Sequence, residues 1–341
     1  MSLDAMSPSP APAPWPRDED ADAETMLAMS FSRFGGDDVL AAAELPIPRP
    51  GPGQVLVRVL AAGVGHWDVL EREGVFAARS GQPLLVPHVP GAEGAGTVVE
   101  VGAGVHDFRE GDRVCGLVPL RNPRCGFHAQ FVVLDADHVW PVPSRLSLPQ
   151  AAAMPVDAAL AMQGIDAALM VGKGDALLVL GASGGIGHMA LQFARQRGAR
   201  VLAVASGADG QALCERLGAD MAIDGRRHNL AAALRIFAPD GLDAALLTAE
   251  GPLTATIVDA LRPGGRVAWP HGVADPPARG DIAAVAFGMR HDAQTMRAVR
   301  RAIDAGPFHL HVSRRFPLQR LAEAQQAVTA HHLGRIVLDV P

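Results

Sequence analysis

The chain has 341 residues, 49% of them hydrophobic, which is enough for two domains that each bury a core. A formal net charge of −6 with no basic block excludes nucleic acid or an anionic membrane as the main partner, because phosphate binding needs clustered Lys and Arg. No apolar run approaches transmembrane length, and the three cysteines, Cys115, Cys125 and Cys214, have no metal-ligand spacing and fit a reducing, cytoplasmic compartment.

The first 24 residues, rich in Ala, Pro, Ser and acids, lack the features of a signal peptide and read as a disordered tail. Met26 to Phe31 reads as a strand, turned by Gly35-Gly36, and Glu44 to Gly53 as a proline-rich connector. Alternation then marks a strand over Gln54 to Ala61. Short strands recur over Val98–Val101, Asp112–Gly116 and Ala129–Leu134, each fenced by Gly or Pro. That pattern predicts a compact antiparallel β domain.

From Leu148 the sequence turns alanine-rich and helical, which puts the domain boundary near Ser147. Ala176 to Leu180 is an apolar run of the kind that forms a buried parallel strand, and it stops at Gly181. From Ile186 the period is helical, with Ile186, Met189, Ala190, Phe193 and Ala194 on one face. Between them lies an AxGxxG turn containing Ser183, Gly184, Gly185, Ile186 and Gly187. Its glycines let a backbone approach a pyrophosphate, and the unpaired first-turn N–H groups point at it. A second strand, Arg200 to Ala205, completes a dinucleotide-binding βαβ unit.

This strand ends Ala205-Ser206-Gly207, without the acid that binds ribose hydroxyls and repels a 2′-phosphate, so NADPH is the expected cofactor. Arg226 or Arg227 either partners the phosphate or is a solvated loop charge. The alternation continues with strands over 221–223, 242–247 and 266–269, helices over 229–237 and 252–261, and a sixth strand over 281–287, giving a doubly wound sheet. A helix over 293–305, an extended stretch around His311, a helix over 318–330 and a strand over 335–340 are expected to return to the first domain.

Several separated stretches now carry a resemblance. They are RPGPGQVLVRVLAAGV at 49–64, Asp68-x-x-x-Arg72-x-Gly74, VPGAEGAGTVVEVGAGVHDFREGDRV at 89–114, AAAMPV at 151–156, the GASGGIG turn, LRPGGRV at 261–267 and GRIVL at 334–338. On these the chain resembles the medium-chain dehydrogenase/reductase superfamily, in its zinc-independent quinone-oxidoreductase-like branch. The resemblance implies a GroES-like β-rich catalytic domain (25–147 and 291–341), a Rossmann domain (148–290), a cleft between them and a homodimer. Zinc-dependent members carry a cysteine where this chain has Gly65 and a histidine where it has Ala92, and the four-cysteine structural lobe is absent, so no metal is expected. Relatives that use NADPH commonly have a lysine and a tyrosine where this chain has Gly210 and Gly225.

With no metal and no tyrosine, the site suits hydride delivery to an acceptor that is already electron-poor, a quinone or an enone. Asp157, at the start of the helix after Val156, is a candidate proton donor if buried beside the nicotinamide; the other reading is a helix cap or a pair with Arg on the surface. His66 is a second catalytic candidate. Trp67, His128 and Leu160 are expected in the substrate pocket, Leu160 where relatives often have a threonine. Thr248, Ala249, Pro270, His271, Phe287 and Arg335 complete the expected cofactor site. Two alternatives stay open: an enoyl-thioester or secondary-metabolism tailoring reductase, and a cofactor-binding protein without turnover.

Overall fold

The computed structural model describes residues 24–81, 84–119, 125–290 and 292–341. The tail expected over 1–24 lies, apart from Glu24, outside them. β1 (Thr25–Ser30) pairs antiparallel with β2 (Ala41–Pro46), so the expected connector begins later than its first proline suggests. Pro46 sits at the last paired position of a two-stranded sheet, where a missing N–H is tolerated.

The larger β unit runs through β3 (Gln54–Val64), helices α1 (His66–Arg72) and α2 (Val75–Ser80), and strands β4 (Glu93–Val101), β5 (Arg113–Leu117), β6 (Phe131–Asp135) and β7 (Val139–Pro141). β4 begins five residues before the expected strand, because Gly94 and Gly96 read as loop. They are small for packing reasons: a Cβ at Gly94 would lie 2.2 Å from the Phe127 ring, and one at Gly96 would lie 1.9 Å from the Arg58 carbonyl oxygen.

α3 (Leu148–Ala152) packs on β3 and β4, and α4 (Pro155–Met162) continues into a π-helical turn, Gln163–Ala168. The second unit alternates β8 (Ala176–Leu180), α5 (Gly185–Gln196), β9 (Arg200–Ala205), α6 (Gly207–Arg216), β10 (Met221–Asp224), α7 (Leu230–Phe237), β11 (Leu242–Leu247), α8 (Leu253–Asp259), β12 (Leu261–Pro270) and β13 (Ala283–Phe287). α8 is shorter than expected and β12 longer, since the Pro263-Gly264-Gly265 segment belongs to the strand rather than to a turn before it. No helix lies between β12 and β13 among the described residues, in keeping with the short spacing from His271 to Asp281. The parallel sheet has the order β10-β9-β8-β11-β12-β13. The direction of winding reverses between β8 and β11, and a crevice opens there beyond the strand ends.

α9 (Ala293–Ala305) packs against α4, while β14 (Val312–Pro317), α10 (Leu321–Thr329) and β15 (Arg335–Asp339) return to the first unit. There β15 pairs with β3 in a seven-stranded sheet, antiparallel except for its β14–β15 pair. This return carries Arg335 to the crevice. No described helix is long and apolar enough to cross a membrane.

Candidate active site

The crevice is a cleft of about 880 Å³, within the size range of cofactor sites. Its floor is the β8–α5 turn. Gly184 caps α5 without a side-chain hydrogen bond, so the first-turn N–H groups have no partner inside the helix, and those of Gly185 and Ile186, which line the cleft, are available to an anion. Gly187 faces inward instead, where a Cβ would lie 2.2 Å from the Gly181 carbonyl oxygen; it lets helix and strand pack closely. His188 fixes the turn from behind. Its Nδ1–H donates to Gly184 O at 2.8 Å while its Nε2 accepts from His311 N–H at 3.3 Å, and burial pushes the imidazole down to about 4.

At the far end of β9, Ser206 lines the cleft with a buried Oγ that has no hydrogen-bond partner. An orphaned hydroxyl of this kind costs about 1–3 kcal/mol until a ligand oxygen or water meets it. Arg226 lines the same end from the loop after β10, with its backbone N–H held by Asp224 Oδ1 at 3.0 Å. Thr248 and Ala249 follow β11 across the crevice, and Thr248 Oγ1 donates to Leu180 O at 2.8 Å, joining β11 to β8. The turn donors, the orphaned Ser206 hydroxyl and the cleft volume together fit a bound dinucleotide.

The opposite wall holds a buried charge cluster. Arg335, from β15, donates through Nη1 to Asp157 Oδ2 at 2.7 Å and through Nη2 to Glu93 Oε1. Glu93 Oε2 in turn accepts the Val156 N–H at 2.7 Å. The three side chains are at most 5% exposed. Burial pushes the Glu93 carboxyl up to about 8 against the pull of Arg335, and raises Asp157 likewise. Asp157 thus pairs with an arginine, buried rather than at the surface. Its Oδ2 also lies against the first turn of α5, 2.0 Å from where a Cβ on Gly185 would be.

The guanidinium of Arg335 lies over the Trp67 ring, 4.9 Å from its centroid. Trp67 in turn fills the space in front of Gly65: a Cβ there would lie 2.3 Å from the indole. The position that carries a cysteine in zinc-dependent relatives is thus covered by an aromatic ring. Ala92, the other ligand position, is buried, and no group of three His, Cys, Asp or Glu able to hold a metal occurs among the described residues.

The cleft therefore gathers Ser183, Gly184, Gly185, Ile186, Ser206, Arg226, Thr248, Ala249 and Arg335 of the expected cofactor residues, with Asp157, His66 and Trp67. Pro270, His271 and Phe287 do not line it: they sit at the ends of β12 and β13, and Phe287 packs toward Gly164. His128 is fully buried, with Nε2 3.3 Å from the Gly63 carbonyl oxygen, and Leu160 lies on α4 outside the lining. Conversely, His331 and His332, just before the GRIVL stretch, and Glu250 line the cleft without having been singled out in the sequence. A pair of histidines two residues before a glycine was the only signal for the first two.

Residues 51–144 match the family described as alcohol dehydrogenase GroES-like domain, and 185–276 that described as zinc-binding dehydrogenase. The second segment contains neither position 65 nor position 92. An NADPH-dependent alkenal/one oxidoreductase from Arabidopsis thaliana is 30% identical over 325 residues, covering 92% of this chain and 79% of that protein. The quinone oxidoreductase of Rattus norvegicus is 30% identical over 244 residues, 71% of this chain and 72% of its own. Among solved structures, an NAD-dependent alcohol dehydrogenase superposes with a TM-score of 0.84 at 29% identity, covering 93% of this chain and all of that one. The chain belongs to the medium-chain dehydrogenase/reductase superfamily, in its quinone-oxidoreductase-like branch.

Proposed function

We propose that this oxidoreductase uses NADPH to reduce a quinone or an activated alkene such as an enone, without a metal. The observation that carries the reading is the Trp67 ring seated over Gly65, with Ala92 at the second ligand position; among the described residues no group of three His, Cys, Asp or Glu could hold a Lewis acid. The reduced nicotinamide supplies the hydride. Around it, the N–H groups of Gly185 and Ile186 hold the pyrophosphate and Arg335 adds a cation beside them. Ser206 Oγ and Arg226 favour the 2′-phosphate over a bare ribose.

Asp157 we assign as a positioning residue, acting through Arg335. His66, exposed at the cleft, hydrogen-bonds the oxyanion that forms as hydride reaches the acceptor, and water supplies the balancing proton. No phenol is available for this, since the chain has no tyrosine. The small-molecule acceptor enters between His66 and Trp67. In the homodimer that the family suggests, this cleft stays within one subunit.

The test is loss of reduced-nicotinamide absorbance with the purified chain against quinones, enones and enoyl thioesters, with NADPH and NADH in parallel. Turnover of quinones or enones with a KM for NADPH about tenfold below that for NADH is expected. Turnover of enoyl thioesters alone would move the substrate class to the thioesters, and cofactor binding with no turnover on any acceptor would contradict the proposal.

A further inference from the structure

One polar pair at the mouth of the cleft joins its two walls. His331, which follows α10, approaches Asp209 with Nε2 at 3.0 Å from Oδ2 and 3.3 Å from Oδ1, across 122 residues of sequence. A carboxylate only accepts, so Nε2 carries the proton and donates it. Asp209 lies in the first turn of α6, where its Oδ1 also accepts the Gly210 N–H at 2.9 Å. Both side chains sit over the tip of β9. A Cβ on Gly207, whose φ is +83°, would lie 2.6 Å from Asp209 Oδ1 and 3.6 Å from His331 Nε2.

In an open parallel sheet the end of the second strand faces the adenosine ribose of a dinucleotide, so groups over this tip decide between a ribose hydroxyl and a 2′-phosphate. Here the tip residue, Ser206, has an unpartnered buried hydroxyl. The first turn of α6 supplies no cation, and a side chain at Gly210 would meet Ser183 Oγ at 2.8 Å. His331 reaches the same spot from the opposite wall and lines the cleft there. Its donor already faces an anion.

We infer that His331 donates to the 2′-phosphate of NADPH and that Asp209 is the anion this phosphate displaces, so the pair sets the preference between phosphorylated and unphosphorylated dinucleotide. The inference rests on the NADPH reading above. Asp209 and His331 are 56% and 40% exposed, so their pairing is weak and readily exchanged. A phosphate oxygen offers the imidazole a charge-assisted bond in its place, while Asp209 keeps the Gly210 N–H and turns to water.

The experiment is titration of the reduced-cofactor fluorescence with the full chain, its His331→Ala and its Asp209→Asn variants, using NADPH and NADH. His331→Ala is expected to weaken NADPH about tenfold and leave NADH unchanged. Asp209→Asn, which keeps the Gly210 contact through an amide oxygen but lowers the competing charge, is expected to tighten NADPH by about threefold. An equal shift for both cofactors in His331→Ala, or no shift for either, overturns the inference while a native preference for NADPH leaves the broader reading intact. A native preference for NADH overturns both.

Discussion

At the pyrophosphate end of the cleft, one continuous segment from β8 into α5 supplies the turn and its donors as backbone N–H groups. At the other end Glu93, Asp157, Arg335 and Trp67 come from four distant segments, Glu93 and Arg335 being 242 residues apart, and meet only through side chains. The first end is built by local geometry and tolerates change in its side chains but not in its glycines. The second depends on a balance of buried charges that no single segment contains.

The contrast is broken most strongly at Arg335. Arg335→Met leaves the buried Asp157 and Glu93 side chains without their cation and donor and should destabilise the protein by about 3–5 kcal/mol, read from urea unfolding. Adding Asp157→Asn and Glu93→Gln should recover much of that loss. A single variant as stable as the native chain would show that the cluster does not hold the two units together. Gly187→Val strikes the backbone end, driving a side chain into the Gly181 carbonyl. Dinucleotide affinity should fall by about a hundredfold or more, and normal binding by a folded variant would contradict the tight helix–strand packing assigned to this turn.

A finer cut uses Asp157→Asn. If Asp157 acts through Arg335, cofactor affinity and kcat should fall together, each by about tenfold. A fall in kcat at unchanged affinity would make it a proton donor instead. The smallest effect is expected from His188, whose folded pKa of about 4 lies below the ordinary 6.5. Its neutral form is the one the fold requires, so its contribution is complete above pH 6.5 and is lost as pH falls toward 4. Between pH 7 and 5.5 the native chain should lose on the order of 1 kcal/mol that the His188→Gln variant does not, measured by urea unfolding at both pH values.

What was legible in the sequence follows the same division. The βαβ unit could be read because strand, glycine turn and helix are written in one run with a change of period, and the strand over 242–247 falls on β11 residue for residue. β2 was hidden by Pro46, which reads as a breaker although it closes an edge pairing. Pro270, His271 and Phe287 were expected in the cofactor site. They sit at the ends of β12 and β13, one and two places beyond β11, and are not among the residues that line the cleft. The charge cluster was out of view for a different reason: Glu93 and Arg335 each sit in a recognisable stretch, yet nothing in either stretch says that the other is its partner. The Trp67 ring over Gly65 is likewise a tertiary substitution, in which one residue fills the space left by another's missing side chain.

The most direct test of hydride transfer without a metal combines metal analysis of the purified chain with NADPH oxidation by a quinone or an enone before and after exhaustive chelation. Sub-stoichiometric zinc and an unchanged rate are predicted. One zinc per chain, with activity lost on its removal and restored on its return, would contradict the account.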